Sequence, residues 1–525
     1  MAESVRHTDV LIVGAGPSGL MMAAQLLRFG IQPTIVDAKS GPDRTPKSMA
    51  IPARSLELFR QIGLADALLD SGNPAHGVQL QRGRKQIGGL DFSLLDQPGT
   101  AFPFAYFVGQ DQAEKLLIDR LTEKACPVRW ETKLVALRQD DQRATVELEH
   151  EGEIEQWTCK WVVGADGADG TVRKYLHIPF EGKVRSDPFF VADVELNGAD
   201  HRQIHFFVSK RNVFGVFPYG SGRYRLTGPV PAGSTTEKAA VDEAVGFELP
   251  VKRYISIRRF FLHTRMAETF SRQRCFLIGD AAHIQLSVGG PGLNNGIPDA
   301  ANLAWKLAGV LLGHMEARIL HTYTEERLPA AKATVRSVDR AFRWVKALSF
   351  RFTPRLDFLM ARAIRRVHRN PRWLTRIFTD LAQLNIHYRQ ATLAVHYATG
   401  RRIQAGDRLP FLAVYDEKAK KQTDLHRWCE KPGFVLLLLG TVGSHALHVV
   451  GQWIRQKYPR AMHLYYLPFS SRNLSVFEAF EVKPEGTKVL VIRPDMHIGY
   501  LNDVLNVNLI DTYMQEAVGW IVDFP

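Results

Sequence analysis

The chain has 525 residues, more than one hydrophobic core serves, so two or three domains are expected. Hydrophobic residues at 45% argue against disorder, and the four scattered cysteines (Cys126, Cys159, Cys275, Cys429) contain no C-x-x-C, which argues against a disulfide framework or a metal site. The net charge of +13 comes without a nucleic-acid recognition motif, so no nucleic-acid partner is expected.

No cleavable signal pattern opens the chain. Its longest apolar run, 434–443, falls far short of the roughly 20 residues of a spanning helix. A soluble cytoplasmic protein with reduced thiols is the expectation. The first elements are a buried strand at 10–13, a glycine turn, a helix to Leu27 and a second strand at 34–36 ending at Asp37. Residues 48–70 and 113–121 carry helical patterns. Alternation at 143–149 predicts a half-exposed strand, and 161–163 a buried one. Residues 189–228 are rich in β-branched and aromatic side chains broken by turns, which predicts an antiparallel sheet. A buried strand at 275–278 precedes Gly279-Asp280, and a helix is expected from Pro298 to Leu312. Residues 331–395 read as helical and basic, 400–409 as a polar linker. The tail reads as strand 434–439, helix 443–456 and strands 463–467 and 488–492.

Three motifs carry chemistry. Gly14-Ala15-Gly16-Pro17-Ser18-Gly19 is a G-x-G-x-x-G between strand and helix. Gly14 permits the turn, Gly16 lets backbone approach a pyrophosphate, and Gly19 lets helix and strand pack closely. The phosphates would lie on the helix N-terminus, and Asp37 would accept from ribose hydroxyls. Gly164-Ala165-Asp166-Gly167 and Gly279-Asp280-Ala281-Ala282-His283 each put a carboxylate at the end of a parallel strand, the ligand edge of an open α/β sheet. The second continues into a glycine-rich loop, 289–296. There is no second G-x-G-x-x-G for a separate nicotinamide domain, and no metal or catalytic nucleophile is indicated. His283 reads as a buried structural histidine.

These motifs, together with Val172-Arg173, Asp299–Leu307, Arg54-Ser55-Leu56-Glu57 and Gln110 with Glu114, make residues 8–400 resemble the class A flavoprotein aromatic hydroxylases, the family of p-hydroxybenzoate and phenol hydroxylases. The resemblance implies an α/β fold in which a Rossmann-type FAD-binding domain interleaves with an antiparallel-sheet substrate domain. The FAD-binding parts fall at 1–75, 111–180 and 269–330, a substrate-domain insertion at 76–110, the substrate sheet at 181–268 and the basic helices at 331–398. The tail, 399–525, resembles the thioredoxin-like domain of phenol-hydroxylase relatives without its redox cysteines.

The resemblance also implies FAD as cofactor, NADPH or NADH as reductant, and dioxygen transfer through a flavin C4a-hydroperoxide to an aromatic or polycyclic small molecule. It places Gly14, Gly16, Pro17, Ser18 and Gly19 at the pyrophosphate and Asp37 at the ribose. Lys47 stands where the family has a flavin-side arginine, with charge but no bidentate fork. Arg54 and Gln110 fall on the cofactor side, Asp166 and Gly167 serve FAD and nicotinamide, Asp280 the ribityl chain, and Gly292, Leu293 and Asn294 the isoalloxazine. Three positions depart from the family: Ser287 for proline, Pro291 for glutamine or lysine, and Asp169-Gly170 for Arg-Ser.

Shielding the flavin from water calls for an apolar pocket. Phe206, Phe217, Pro218 and Tyr219, with Ser287, are the candidate lining, with Phe207 and Phe214 beside them. Strand alternation sends about half of these aromatics into an ordinary core. A flavin oxidase or dehydrogenase, or a non-catalytic flavin-binding protein, are the alternatives. Between Lys332 and Arg389 stand fourteen basic and three acidic residues, near Trp344 and Trp373. That segment is read as a solvated face, a contact with an anionic membrane, or a docking face for a partner subunit, and a homodimer stays open.

Overall fold

The computed structural model describes residues 5–522 except 44–47, 84, 199, 209–212, 221, 232, 235, 246–248, 285–291 and 351–353; for 185–187, 292–293, 337–339, 341–350 and 354–357 only the backbone is described. Strand β1 (Arg6–Val13) is buried over its last four residues, as a central parallel strand must be, and leads into α1 (Pro17–Arg28) and β2 (Thr34–Val36). The helix expected over 48–70 is two. After an extended pair at Ala50–Ile51, α2 (Ala53–Gln61) starts behind Pro52 and stops before Gly63, whose φ of +74° suits glycine; Ala65–Asp70 forms a second short helix.

The chain then leaves for a second layer through β3 (Gly77–Arg82) and β4 (Lys85–Asp91), and returns with α3 (Gln110–Glu123) and the strands β5 (Thr132–Gln139), β6 (Ala144–His150) and β7 (Glu153–Gly164). It leaves again for β8 (Phe180–Leu196), β9 (Gln203–Val208), β10 (Val213–Gly220), β11 (Arg223–Pro229) and β12 (Val251–Ala267), and returns as β13 (Cys275–Leu277). The first sheet runs Ser271–Arg272, β13, β7, β1, β2, with β13, β7, β1 and β2 mutually parallel and the β5–β6 hairpin attached to β7. The second has eight strands in the order His283–Ile284, β12, β8, β11, β10, β9, β3, β4.

Helix α4 spans Gly292–Leu311, six residues earlier than its expected start. Pro298 therefore lies inside the helix, where its missing N–H leaves the Asn294 carbonyl without its intrahelical donor. The basic region forms α5 (His321–Phe350), α6 (Pro354–His368) and α7 (Pro371–Leu381). Trp344 lies among residues whose side chains are not described. The tail sheet is built from Val395–His396, β14 (Phe434–Gly440), β15 (Met462–Pro468), β16 (Thr487–Ile492) and β17 (Ile498–Asn502), with helix α8 (Ser444–Lys457) linking β14 to β15. Strand β17 was not expected, since its glycine and its closeness to Pro494 hide the pattern.

The polar stretch 400–409 is not a free linker. Arg408 is buried, 3.0 Å from Glu57 on α2, and donates to the Gly99 carbonyl. The tail is likewise fastened through buried ions. Arg493 pairs with Glu326 of α5 and with Asp495 (2.5 Å), Lys306 of α4 lies 2.8 Å from Glu326, and Asn302 donates to both Glu326 and Asp495. Burial works against these charges, but Arg493 and Lys306 hold Glu326 down at about 2.

Candidate functional site

The parallel strands end at one level: Val13 pairs with Val36 and with Gly164, and Gly164 pairs with Leu277. The three motifs that follow these strands must therefore share one edge. Gly14 has φ of +106°, and a Cβ there would run into the Ala165 carbonyl; one at Gly19 would strike the Gly14 carbonyl. At Gly16 nothing lies within 4 Å of a Cβ, so the turn faces open space. Helix α1 begins there with Pro17, no side-chain cap and no acid in its first turn, leaving its first N–H groups for an anion. Ser18 packs against the other motifs: a Cβ at Gly279 or at Gly296 would collide with its hydroxyl.

Asp37 accepts from the Ala15 N–H (2.7 Å) and the Lys39 N–H (2.9 Å), which fixes its carboxylate beside the glycine turn. Asp166 accepts from the Val172 N–H at 2.9 Å, and burial pushes its carboxyl above the usual range. Gly167 has φ of +79°. The departure at Gly170 has a steric reason, because a Cβ there would press on the Asp166 carboxylate. Arg173 donates to the Ala281 carbonyl at 2.7 Å and so ties this motif to the Gly279-Asp280 turn, where Asp280 is half-buried.

Asp299 of α4, present in one of the motifs but given no role from the sequence, organises this corner. It accepts from the Gly279 N–H (3.0 Å), His283 (2.7 Å) and Arg327 (2.7 Å), and Arg327 reaches on to the Asn295 carbonyl. Burial opposes its charge, but Arg327 and His283 hold it at about 2. The structural reading of His283 fits this place. Asn294 donates to the Ala50 carbonyl at 2.7 Å, while its Oδ1 is buried with no partner among the described residues.

The eight-stranded sheet presents its other candidates on two faces. Phe207 and Phe214 stack at 4.9 Å in a core with Phe190 and Tyr224, away from the site. Phe217 and Tyr219, with Phe206 partly buried against them, pack instead toward Met49, Ala50 and Phe107, next to the start of α4. Pro218 lies between, buried and on the opposite side by strand alternation. Three further residues share the Phe217 face by register. Arg225, opposite Phe217, makes a buried fork with Asp193 (2.7 and 2.9 Å), and Thr227 keeps a buried hydroxyl with no partner among the described residues. Alternation from Phe217 across a hairpin could have found Arg225. The Asp193 pairing needed the long-range register. Burial, reinforced by Asp193, raises the Tyr219 phenol to about 12 and keeps it protonated.

Arg54 is buried with its guanidinium on Glu57 (3.3 Å) and on the Asp495 carbonyl of the tail (2.7 Å). Gln110 donates to Glu114 at 2.8 Å at the start of α3. Lys47, Ser287 and Pro291 lie outside the described residues, and Gly292 and Leu293 are placed only as the first backbone turn of α4.

The open cradle at Gly16, the uncapped α1, the carboxylate beside the turn and the unpartnered amide oxygen of Asn294 together suit a dinucleotide carrying a polar ring system. The comparisons agree. Residues 7–338 match the family model described as FAD binding domain. The chain is 34% identical over 409 residues to 6-methylpretetramide 4-monooxygenase of Streptomyces rimosus, covering 75% of this chain and 72% of that one. It is 29% identical over 418 residues to pentachlorophenol 4-monooxygenase of Sphingobium chlorophenolicum, covering 76% and 75%. Its fold superposes on OxyS anhydrotetracycline hydroxylase from Streptomyces rimosus with a TM-score of 0.75 at 26% identity, over 98% of this chain and 99% of that one. The protein belongs to the FAD-binding family of class A flavoprotein aromatic hydroxylases, and it is an FAD-dependent monooxygenase.

Proposed function

We propose that the protein hydroxylates a phenolic or polycyclic aromatic small molecule, with NADPH or NADH as reductant and dioxygen as oxidant. One observation carries the reading: an aromatic sheet face holding Phe206, Phe217 and Tyr219, with the Thr227 hydroxyl unpartnered among the described residues, lies against the start of α4 at the dinucleotide edge. FAD, when bound, supplies electron transfer from the nicotinamide to dioxygen and delivery of one oxygen atom to the substrate. The chain's own residues do the rest. Gly14, Gly16, Pro17, Ser18 and Gly19 cradle the pyrophosphate on α1. Asp37 holds the ribose, Asp280 the ribityl hydroxyls, and the backbone of Gly292–Asn294 the ring. Asp166 and Gly167 edge the nicotinamide approach. Phe206 and Phe217 exclude water from the reacting centre, and Tyr219, protonated at neutral pH, donates to a substrate oxygen. The neighbouring Arg225–Asp193 pair orients that face.

Relatives whose names carry 6-methylpretetramide and pentachlorophenol make ring hydroxylation the favoured chemistry. The tail is read as a thioredoxin-like domain without redox function: Cys429 is its one cysteine, buried, with its thiol pushed up to about 12. The test is a panel of phenols and fused-ring phenolics with purified holoenzyme, NADPH or NADH and isotope-labelled dioxygen. Label in the product of at least one compound is expected. Nicotinamide oxidation yielding only hydrogen peroxide across the panel overturns the reading in favour of an oxidase.

A further inference from the structure

The basic helices α6 and α7 are absorbed by none of this chemistry. Their inner faces are well accounted for. Ile364 of α6 lies against Gly88 on β4, the edge strand of the substrate sheet. On α7, Leu374 and Phe378 are buried, Phe378 meets Phe92 with ring centroids 5.5 Å apart, and the Thr375 hydroxyl clamps Asp96 through both its backbone N–H and carbonyl.

The outer faces are different. Three large apolar side chains stand more than half exposed there: Phe358 at 61%, Leu359 at 56% and Trp373 at 60%. Around them Arg362, Arg365, Arg366, Arg369, Arg372 and Arg376 are all exposed, and among the described residues none has an acidic partner. At 100° per residue, Phe358, Leu359 and the three arginines Arg362, Arg365 and Arg366 of α6 fall on one side of that helix, opposite Ile364 and Val367. Asp380 is the one acid exposed on α7, and Asn385 holds it at 2.6 Å. Solvated arginines alone are ordinary. A cluster of exposed apolar side chains within a one-sign ring of arginines is the composition of an interfacial helix.

We propose that the outer faces of α6 and α7 dock the protein peripherally on an anionic lipid surface. Charge decides among the occupants. A second copy meeting this patch about a two-fold axis would bring arginines against arginines, which costs free energy rather than releasing it. A lipid surface offers phosphates to the guanidinium groups and acyl chains to Phe358, Leu359 and Trp373. Docking there would set the edge of the substrate sheet at the lipid, where an apolar aromatic compound concentrates. That consequence rests on the proposed function; the docking itself does not.

Holoenzyme is sedimented with vesicles of phosphatidylcholine alone and of equal parts phosphatidylcholine and phosphatidylglycerol. Binding to the second and not the first is expected at low salt, fading as the Debye length falls from about 30 Å at 0.01 M to about 8 Å at 0.15 M. Each arginine reversed (Arg362→Glu, Arg366→Glu, Arg369→Glu) should lower partitioning at least about fivefold. Phe358→Ala with Trp373→Ala should lower the salt-resistant remainder, with flavin content showing that these variants are folded. Indifference to anionic vesicles at low salt overturns the proposal. So does equal binding by the charge-reversed variants, or a dimer in sedimentation velocity that Phe358→Asp dissociates.

Discussion

The dinucleotide edge and the joint of the tail solve one problem by opposite means. At the edge, segments more than 100 residues apart are brought together by removing side chains: Gly14 and Gly19 against Ala165, and Gly279 and Gly296 against Ser18. At the joint, segments just as far apart are held by filling the space with charge: Arg493 on Glu326, Arg408 on Glu57, Arg54 on the Asp495 carbonyl. A glycine contact tolerates nothing larger, whereas a buried ion pair demands a matched pair of charges in good hydrogen-bonding geometry. The first kind of joint leaves a motif at a fixed spacing, and the second leaves scattered charged residues.

The sharpest break of the comparison lies within the edge itself. Gly19→Val drives its side chain into the Gly14 carbonyl and should abolish both folding and flavin. Gly16→Val points into open space, so that variant should fold normally and yet purify colourless. Circular dichroism with the flavin absorbance of each variant checks the pair. A yellow Gly16→Val protein would show that the cradle is not where the pyrophosphate lies.

At the joint the expected loss is smaller but still large. Arg493→Met keeps the volume beside Trp305 while leaving Glu326 and Asp495 facing each other without their shared cation. Removing one member of such a buried network costs about 3–5 kcal/mol. Urea unfolding of the parent and variant measures it, and adding Glu326→Gln should return part of the loss. A variant as stable as its parent would mean that packing, not charge, holds the tail.

This contrast also explains what was legible in the sequence. The glycine turn, the Asp37 position and the strand ends at Gly164 and Gly279 each follow from a local pattern whose steric demand is the same wherever it occurs, and the structure brings them to one edge in register. The aromatic segment was half legible, because alternation separates Phe217 and Tyr219 from Phe214 without saying which set faces the site. The buried partners of Arg54, Asp299 and Arg408 were not legible. Arg54 sits in a motif that reads as cofactor-side, but its guanidinium is committed to Glu57 and to a tail carbonyl 441 residues away. The polar run at 400–409 reads as a linker because nothing local shows that Arg408 has a buried carboxylate waiting. The start of α4 was misplaced for a simpler reason: Pro298 suits a first helical turn, and the preceding glycines conceal the helix that runs through them.

The joint should also carry a pH signature of its own, set by histidines. His497 and His426 are both buried; burial, which disfavours the charged ring, lowers each from 6.5 to about 4, although Asp495 beside His497 and Glu57 near His426 act the other way. The His497 ring lies 4.3 Å from that of Tyr388, tilted by 33°, and His426 donates its Nε2–H to the Leu409 carbonyl, so neither has room for a hydrated proton. Between pH 6.5 and 4 the unfolded chain takes up these two protons and the folded chain does not. Stability is therefore complete above 6.5 and is lost as pH falls toward 4, with a slope of about 1.4 kcal/mol per pH unit for each histidine and a total near 3 kcal/mol apiece. His497→Gln should remove one histidine's share of that slope while changing stability at pH 7.5 far less. Urea midpoints at intervals from pH 7.5 to 5 give both numbers. A slope identical in parent and variant would show that His497 already bears its proton in the folded joint, and the tail would then be fastened by one more cation than the carboxylates there have been assigned.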